Sequence, residues 1–352
     1  MKRIEKVRAK MQQSNLTSLL ITNMKNIYYL TGFSGTAGTI FITENAQYFM
    51  TDSRYIDIAR EKITDFELIE TRNSFELLSN LTKKENIGQI GFEDTVEYSV
   101  FAALQTLFPK FELISTTNFI AEIRQIKARG EIQIIRKACQ IADKAFDEVL
   151  NFIEPGKTEI EIANFLDFKM RELGASGISF DTIIASGVRS SLPHGVASHK
   201  TIEFGDAITM DFGCFYENYA SDMTRTIFLG EPDEKMSEIY HTVLAANEAL
   251  IKSAQAGMTL AKYDQIPREI IENAGYGAYF THGIGHGLGL DVHEIPYFGA
   301  KTIGKLQENM IVTDEPGIYL SNFGGVRIED DLLITAEGCE VLTQAPKQLI
   351  VI

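Results

Sequence analysis

Cysteine is scarce in this chain of 352 residues: the three that occur, Cys139, Cys214 and Cys339, are widely separated and form no CxxC pair. An odd number of distant cysteines cannot complete a disulfide framework. Because free thiols persist in a reducing compartment, we expect a cytoplasmic protein. The spacing also argues against a thiolate type of zinc site.

Long apolar runs are missing as well. The N-terminal stretch MKRIEKVRAKMQQSN places Ile4, Val7 and Met11 at helical spacing among many charges. This pattern predicts an amphipathic helix and does not fit a signal peptide. No later stretch reaches the ~18 apolar residues of a membrane span, so we expect a soluble protein without a membrane partner.

Positive charge is in short supply. The chain has 33 Lys and Arg against 48 Asp and Glu, which gives a formal net charge of -15. Such a surface repels phosphate backbones, and no run of Lys and Arg with interleaved aromatic residues offsets it. Nucleic acid is therefore excluded as a partner, and part of the acidic excess is available to bind metal.

The length and the order of predicted elements indicate two domains. Short strands such as SLLIT, GTIFITE and QYFMTD alternate with helical segments, which predicts a small α/β domain at the N-terminus. The basic stretch RQIKARG, residues 124–130, is typical of a domain boundary. We therefore place the domains at residues 1–125 and 126–352.

The second domain is predicted to be an internal repeat of two α-α-β-β halves over residues 130–352. In the first half a Gly-x-Thr turn opens a helix at Thr158, and Thr158 with Glu161 matches a capping box. In the second half the same turn opens a helix at Thr259. Asp211 and Glu315 follow these two turns at similar distances, each within a predicted pair of strands.

Two predicted β-hairpins carry acidic residues at facing positions. In the first, a turn at Glu217-Asn218, with pairing centred between residues 216 and 217, sets Asp211 opposite Asp222. In the second, Glu315 is set opposite Glu329. Facing carboxylates repel each other unless a cation lies between them. One such pair is compatible with an ordinary solvent-exposed strand face, but two pairs at equivalent places in a repeat favour a metal site.

Half of the six histidines fall within HGIGHGLGLDVHE, residues 282–294. His282 and His286 are spaced as in helical zinc motifs, but each interior glycine of this stretch would cost a helix about 1 kcal/mol relative to alanine. The alternatives are a glycine-rich turn with incidental histidines and a close-packed loop or irregular strand that brings imidazoles to a ligand. The neighbouring carboxylates favour the second.

Four carboxylates and one imidazole suit two adjacent divalent metal ions. Oxygen-rich ligation favours manganese, with cobalt or zinc as alternatives.

The motifs MDFG with SDMTRT, THGIGHGLGLDVHE, TDEPGIY and GVRIEDD resemble those of the pita-bread metallopeptidases, the family of Xaa-Pro aminopeptidases and prolidases, and occur in the family's order. The resemblance covers essentially the whole chain and is strongest to bacterial aminopeptidases P. It implies an α/β fold in which a creatinase-type N-terminal domain precedes a pita-bread catalytic domain.

The resemblance also implies the roles of individual residues. The metal ligands it implies are Asp211, Asp222, His286, Glu315 and Glu329. The catalytic residues it implies are His194, His282, His293, Arg327 and Glu315, the last as proton shuttle. For His194, in the motif SLPHGVAS, the alternative is a plain surface loop, and for Arg327 it is a structural ion pair with Glu329 or Asp330.

The activity implied by the resemblance is that of a metal-dependent aminopeptidase. Such an enzyme releases the N-terminal residue from peptides whose second residue is proline, by means of a hydroxide held between two metal ions. A prolidase, which cleaves Xaa-Pro dipeptides, is the alternative, and a non-catalytic peptide-binding module of the same fold is a more distant one. A methionine aminopeptidase usually lacks the N-terminal domain, and a creatinase works without two metals. A homodimer is also expected.

The preference for an aminopeptidase rests on the distribution of arginines. A dipeptidase must neutralise the carboxylate of proline itself, usually with an arginine. Between His286 and Glu315 the chain has no arginine, and only Lys301 and Lys305 supply positive charge there. Arg327 is the one other residue expected to be able to bind that carboxylate.

Overall fold

The computed structural model describes residues 2–352, which divide into two compact units between Arg124 and Gln125. The helices of the first unit are α1 (Arg3–Gln13), α2 (Met24–Thr31), α3 (Ile56–Lys62), α4 (Ser74–Lys84), α5 (Tyr98–Leu107) and α6 (Ala121–Arg124). Its strands are β1 (Ser18–Ile21), β2 (Thr39–Thr43), β3 (Gln47–Thr51), β4 (Glu67–Glu70), β5 (Gln89–Glu93) and β6 (Glu112–Thr116). This alternation is the α/β pattern predicted for the N-terminal part.

One mixed sheet organises the first unit. Its strand order is β4-β3-β2-β1-β5-β6, with β1, β2 and β3 paired antiparallel and the outer strands added in parallel. A core of Leu20, Phe41, Tyr48, Leu78 and Leu104 fills the space between this sheet and its helices. The predicted N-terminal helix is present as α1, and it buries Ile4, Val7 and Met11.

The second unit contains the remaining elements. Its helices are α7 (Arg129–Val149), α8 (Glu159–Glu172), α9 (Glu234–Ser253) and α10 (Leu260–Asn273). Its strands are β7 (Gly177–Ile178), β8 (Ile183–Ser186), β9 (Ala207–Phe212), β10 (Cys214–Tyr216), β11 (Tyr219–Ala220), β12 (Met223–Phe228), β13 (His286–Gly287), β14 (Glu294–Tyr297), β15 (Ile311–Asp314), β16 (Gly317–Leu320), β17 (Gly324–Arg327), β18 (Asp330–Ile334) and β19 (Cys339–Val341). Within residues 2–352, none of the helices combines the length and the apolar composition that a bilayer span requires.

The predicted repeat is confirmed in the second unit. The Thr158 side chain caps α8 by accepting the backbone N–H of Glu161, and the Thr259 side chain caps α10 in the same way. Each half also has its own apolar core, one built around Phe146 and Phe212 and the other around Tyr263 and Val312. The two halves therefore bury their helix pairs separately and present their strands to each other.

The register of the first hairpin differs from the predicted one. Glu217 and Asn218 both have positive φ, 45° and 68°, as the two central residues of a type I′ turn require. This moves the centre of pairing one residue further along the chain, so Asp211 lies opposite Thr224 and not opposite Asp222. Asp222 and Thr224 project from the same face, because they are two residues apart on one side of the hairpin. Asp222 is therefore a diagonal neighbour of Asp211.

The register of the second hairpin agrees with the predicted one. Asp314 pairs with Asp330 in β15 and β18, and Gly317 pairs with Arg327 in β16 and β17, about the same centre. Glu315 and Glu329 occupy matching positions in the break between these two strand pairs. The two strand pairs belong to different sheets, and Glu329 is buried while Glu315 is half-buried.

Candidate metal centre

Five side chains from both halves of the second unit converge at one place. They are Asp211 on β9, Asp222 just before β12, His286 on β13, Glu315 just after β15 and Glu329 just before β18. Their donor atoms form three overlapping groups, and within each group all atoms lie within 4.8 Å of one another: Asp211 with Asp222 and Glu329, His286 with Glu315 and Glu329, and Asp222 with His286 and His293. The structure therefore brings together all five residues that the sequence predicted as ligands.

The electrostatics of this cluster fit a bound cation. Burial, followed by repulsion from the neighbouring carboxylates, raises the pKa of Asp222 and of Glu329 well above the usual range. Burial also raises the pKa of Glu315 to about 7. Among the described residues, the buried Oδ1 atoms of Asp211 and Asp222 have no hydrogen-bond partner. A divalent cation supplies both the charge and the coordination that these oxygens lack, and a set of carboxylates with one imidazole suits such an ion.

The His286 imidazole is prepared to be a ligand through Nε2. Its Nδ1 lies 3.1 Å from the carbonyl oxygen of Gly287, which assigns the proton to Nδ1 and leaves the Nε2 lone pair available. Burial lowers the pKa of His286 to about 3, so the ring is neutral at pH 7. Nε2 lies 3.6 Å from Oδ2 of Asp222 and 3.5 Å from Oε1 of Glu315. These spacings leave the lone pair among carboxylate oxygens.

The glycines around His286 allow its strand to approach its neighbours closely. A Cβ atom added to Gly285 would lie 2.3 Å from the carbonyl oxygen of Thr313, and one added to Gly287 would lie 2.3 Å from that of Ile295. The Thr313 hydroxyl accepts the backbone N–H of His286 at 3.0 Å. The interpretation of this stretch as closely packed and irregular, and not helical, is therefore confirmed.

Each half of the unit braces an acidic residue of the other half. The Thr224 hydroxyl donates to Oε2 of Glu329 at 2.6 Å, and the Thr224 carbonyl oxygen accepts the Glu329 N–H at 3.0 Å. In return, Oδ2 of Asp331 accepts the backbone N–H of Asp222 at 3.0 Å and the thiol of Cys139 at 3.3 Å. Thr224 and Asp331 each lie two residues after a predicted ligand in their own half. The two hairpins therefore hold each other in place at the cluster.

Arg327 is tied to Asp211 and not to Glu329 or Asp330. Its Nη2 donates to Oδ2 of Asp211 at 2.6 Å, and its Nε donates to the Thr224 hydroxyl at 3.0 Å. The side chain is buried, with 3% of its surface exposed. Asp330 instead pairs with Arg225 at 2.8 Å. Arg327 therefore does form a buried ion pair, but its partner is Asp211 and not Glu329 or Asp330, as the alternative had predicted.

A chain of hydrogen bonds runs from Arg327 to His282. Nη1 of Arg327 donates to the Tyr319 hydroxyl at 2.8 Å, and Tyr319 donates to Nε2 of His282 at 2.9 Å. Nδ1 of His282 then donates to the Gly283 carbonyl oxygen at 2.8 Å. Burial lowers the pKa of His282 to about 4, in agreement with a neutral ring. Both nitrogens of His282 are therefore occupied.

A cavity of about 540 Å³ opens onto the cluster. The predicted site histidines His194, His282 and His293 line it, as does Arg327. The ring of His293 stands edge-on to that of His286, with their centroids 4.1 Å apart. Apolar side chains complete the wall, namely Phe180, Ile183, Val196, Tyr297 and Phe298. An apolar pocket with a few convergent polar groups is the usual form of a small-molecule site.

Three residues of this site were missed in the sequence. Tyr319, Thr224 and Asp331 all contact predicted site residues. They lie within the motifs TDEPGIY, SDMTRT and GVRIEDD, but none of them was assigned a role. The alternation of side chains along a strand was a usable signal, because residues two apart project from the same face. Thr224 therefore shares a face with Asp222, and Asp331 shares one with Glu329. Lys301 and Lys305, the cations considered for substrate binding, do not line the cavity.

Comparison with known proteins gives two family matches and several full-length relatives. The model described as metallopeptidase family M24 matches residues 133–336, and the one described as creatinase/prolidase N-terminal domain matches residues 3–126. The solved structure of an Xaa-Pro dipeptidase from Bacillus anthracis is 43% identical, with a TM-score of 0.98 over 100% of this chain and 99% of that chain.

Two other relatives differ in the specificity that their names describe. A curated Xaa-Pro dipeptidase of Pyrococcus horikoshii is 41% identical over 350 residues, which cover 99% of this chain and 98% of the relative. The crystal structure of an X-Pro aminopeptidase from Thermotoga maritima is 39% identical, with a TM-score of 0.90 and 100% of both chains covered. These similarities extend over both units.

Proposed function

The chain belongs to metallopeptidase family M24, and on that premise we propose that it is an Xaa-Pro dipeptidase, which hydrolyses the peptide bond before proline in dipeptides. The observation that carries the proposal is the convergence of the five predicted ligands at one cavity. Sequence identity of 41% and 43% to two Xaa-Pro dipeptidases supports the specificity. These relatives favour the dipeptidase over the aminopeptidase that the sequence led us to expect.

The ligand cluster is proposed to hold two divalent ions, with manganese as the metal and cobalt or zinc as alternatives. When bound, such ions supply a strong nucleophile from water at neutral pH and polarise the scissile carbonyl. Elemental analysis of the protein after incubation with Mn and removal of excess metal tests this part. We expect about two ions per chain, and about one would leave only a single-ion site.

The residues around the cluster have separate tasks in this proposal. Glu315 takes a proton from the attacking water and passes it to the leaving proline nitrogen; its Oε2 lies 3.8 Å from Nδ1 of His282. The carbonyl oxygen of the scissile bond needs a donor as charge develops on it. His282 has no free N–H, whereas His293 has no side-chain hydrogen bond within residues 2–352. We therefore assign the donor role to His293.

Arg327 supports recognition of a dipeptide. A guanidinium has five N–H groups. Four of those of Arg327 are used by the Thr224 hydroxyl, the Pro193 carbonyl oxygen, the Tyr319 hydroxyl and the Asp211 carboxylate. The fifth, on Nη2, has no partner among residues 2–352, and because Arg327 lines the cavity we propose that this N–H binds the carboxylate of proline. The absence of arginine between His286 and Glu315 therefore does not deprive the site of a cation.

The experiment compares kcat/KM for Ala-Pro, Ala-Pro amide and Ala-Pro-Ala in the same Mn buffer. We expect Ala-Pro to exceed both others by at least about tenfold, the ~1.4 kcal/mol of one unmatched charge. Ala-Pro amide is the matched control, because it removes the carboxylate and keeps the length. Equal or faster cleavage of Ala-Pro-Ala would instead assign the aminopeptidase, the second candidate, which the 39% identity to the Thermotoga maritima enzyme supports.

We further propose that the domains span residues 1–125 and 126–352 and that the protein is a cytoplasmic homodimer. The division of contacts between Arg124 and Gln125 supports the boundary. Light scattering distinguishes a dimer from a monomer of 39.4 kDa. A monomer at working concentration would reject the dimer.

A further inference from the structure

We propose that Glu159 is a positioning residue that sets the conformation of the His194 loop, defined as residues 187–197. The inference deepens the proposed function and rests on it, because this loop forms one wall of the same cavity. Glu159 is the first residue of α8 and is fully buried, with 0% of its surface exposed. It does not line the cavity, so its effect on the site must pass through other residues.

The Glu159 carboxylate binds both ends of the His194 loop. Its Oε1 accepts the backbone N–H and the hydroxyl of Ser186, each at 2.8 Å. Its Oε2 accepts the backbone N–H of Ser198 at 3.0 Å and the hydroxyl of Ser198 at 2.6 Å. Ser186 precedes the loop and Ser198 follows it. A single charged group therefore fixes the distance between the two ends of the loop.

The same carboxylate also reaches into the loop through Arg189. Nε of Arg189 lies 3.2 Å from Oε1 and 3.0 Å from Oε2 of Glu159. Nη2 of Arg189 then donates to the carbonyl oxygen of Val196 at 2.8 Å. Val196 and His194 both line the cavity. The path from Glu159 through Arg189 thus ends on the segment that carries His194.

The start of helix α8 reinforces this clamp. The first backbone N–H groups of a helix have no partner within the helix. Here the N–H of Glu159 donates to the Lys200 carbonyl oxygen at 3.0 Å, and that of Ile160 donates to the Ser198 carbonyl oxygen at 3.1 Å. The chain leaving the His194 loop is therefore held by the side chain and by the backbone of the same helical turn.

The loop that is held in this way touches the rest of the site. The Pro193 carbonyl oxygen accepts Nη1 of Arg327 at 3.1 Å, and the Ser190 hydroxyl accepts the backbone N–H of Gly325 at 2.8 Å. Arg327 in turn binds Asp211. A shift of the loop would therefore displace His194 and also alter the support of a predicted metal ligand.

The second half of the unit makes an equivalent helix start without a carboxylate. After its cap Thr259, helix α10 begins with Leu260, whose N–H donates to the Gly304 carbonyl oxygen at 3.1 Å. A buried carboxylate is costly unless several donors surround it. Because Leu260 suffices for the helix, the charge at Glu159 is explained by the loop that it holds.

The first test is limited proteolysis of the metal-loaded protein with trypsin, with mass spectrometry to identify cleavage after Arg189. Glu159→Gln keeps the shape of the side chain but removes its charge. It also places an amide NH₂ group, itself a donor, opposite the backbone N–H groups of Ser186 or Ser198. We expect it to raise the rate of this cleavage about tenfold or more. The matched control is Glu161→Gln, an exposed position two residues further along α8 where Gln also fits a capping box; its cleavage rate should equal that of the unmodified protein.

The second test is a double-mutant cycle with His194→Ala, read as kcat/KM for Ala-Pro. Glu159→Gln alone should lower kcat/KM about tenfold, and its effect should shrink to about twofold or less when His194 is already absent. Saturating Mn keeps both variants loaded with metal, so a weaker support of Asp211 through Arg327 does not enter the comparison. An equal tenfold loss in the His194→Ala background would overturn the proposal, as would an unchanged rate of cleavage after Arg189.

A further variant and a further outcome separate the clamp from a folding defect and from the proposed function. If Glu159→Gln fails to fold, Ser198→Ala removes one hydroxyl donor and should raise cleavage after Arg189 about threefold; no increase would count against the clamp. If the unmodified protein cleaves no Xaa-Pro peptide, the proposed function fails, while the proteolysis result still decides whether Glu159 holds the loop.

Discussion

In the first half of the second unit, helix α8 begins after Gly156 and Thr158, and in the second half helix α10 begins after Gly257 and Thr259. The two glycines have nearly the same φ, 94° and 89°. Thr158 and Thr259 each form an isolated bridge to the strand-like segment that returns past the helix. The backbone of the two halves is thus similar at the point where each helix starts, although the φ angles of the caps Thr158 and Thr259 differ, at -91° and -71°.

The two halves differ in the histidine that each carries and in the element that positions it. The second half carries an imidazole, His286, on its short strand β13, and glycines on either side let that strand approach its neighbours. The first half has the small residue Ala185 within its strand β8 and carries His194 on a loop. A strand fixes a side chain through its ladder, whereas a loop needs separate anchors, here the Glu159 carboxylate. Each half thus contributes two acidic residues at equivalent positions, whereas the histidines of the site occupy positions that are not equivalent in the two halves.

Removal of one ligand from each half tests whether the halves contribute equally, and it should have the largest effect. We expect Asp222→Asn and Glu329→Gln each to lower kcat for Ala-Pro more than about a hundredfold, a barrier change of about 2.7 kcal/mol. Steady-state assays in Mn measure this. Retention of more than about a tenth of the activity by either variant would contradict a shared two-ion site.

The same variants should stabilise the protein when metal is removed. The pKa of Asp222 and of Glu329 is raised by burial, so at pH 7 their ionisation opposes folding in the absence of a cation. A neutral amide removes that penalty. Urea unfolding in the presence of EDTA should therefore show higher midpoints than the unmodified protein, and the order should reverse in Mn.

The next largest effects are expected for Thr224 and Asp331, whose side chains form hydrogen bonds to predicted ligands of the other half. Thr224→Val removes the hydroxyl that donates to Glu329 and that accepts Nε of Arg327. Loss of such a supporting group typically weakens metal binding by about 10- to 100-fold. Asp331→Asn keeps an oxygen for the Asp222 N–H, so its effect should be smaller.

Calorimetric titration of Mn into metal-free protein measures both changes. Thr224→Ser is the control that keeps the hydroxyl, and it should bind Mn as the unmodified protein does. A larger loss for Asp331→Asn than for Thr224→Val would mean that the brace on Asp222, and not that on Glu329, limits metal binding.

Much of the framework was predictable because local signals agree with it. The helix caps at Thr158 and Thr259 and the spacing of the acidic residues were sufficient to predict the repeat and the proximity of its four acidic residues, whereas the full set of five ligands came from the family resemblance. The predicted register of the second hairpin, which carries Glu315 and Glu329, was also correct. The register of the first hairpin was wrong, because a two-residue turn at Glu217-Asn218 centres the pairing between these two residues and not between residues 216 and 217. The partner of Asp211 thereby changes by two residues, from Asp222 to Thr224, and the direct acidic pair becomes a diagonal one on the same face.

The contacts that were not predictable join distant parts of the chain. Arg327 binds Asp211, which lies in the other half, and no local pattern indicates that partner. In the sequence, Glu159 has the position of any acid that compensates a helix dipole, so nothing there distinguishes it as an anchor of the loop. Its donors, Ser186 and Ser198, become neighbours only when the loop between them closes. Such roles depend on tertiary structure, which periodicity does not encode.

The smallest predicted difference concerns the two helix caps. The Thr158 hydroxyl accepts the Glu161 N–H at 3.2 Å and donates to the Glu161 carboxylate at 2.8 Å, whereas the Thr259 hydroxyl accepts only the Lys262 N–H at 3.2 Å. Loss of a threonine cap usually costs about 0.5 to 2 kcal/mol, so we expect about 1.5 kcal/mol for Thr158→Ala and about 1 kcal/mol for Thr259→Ala. Urea unfolding measures both, with the Thr→Ser variants as controls. A greater cost for Thr259→Ala would mean that the second half depends more on its cap, which would reverse the order that the capping box predicts.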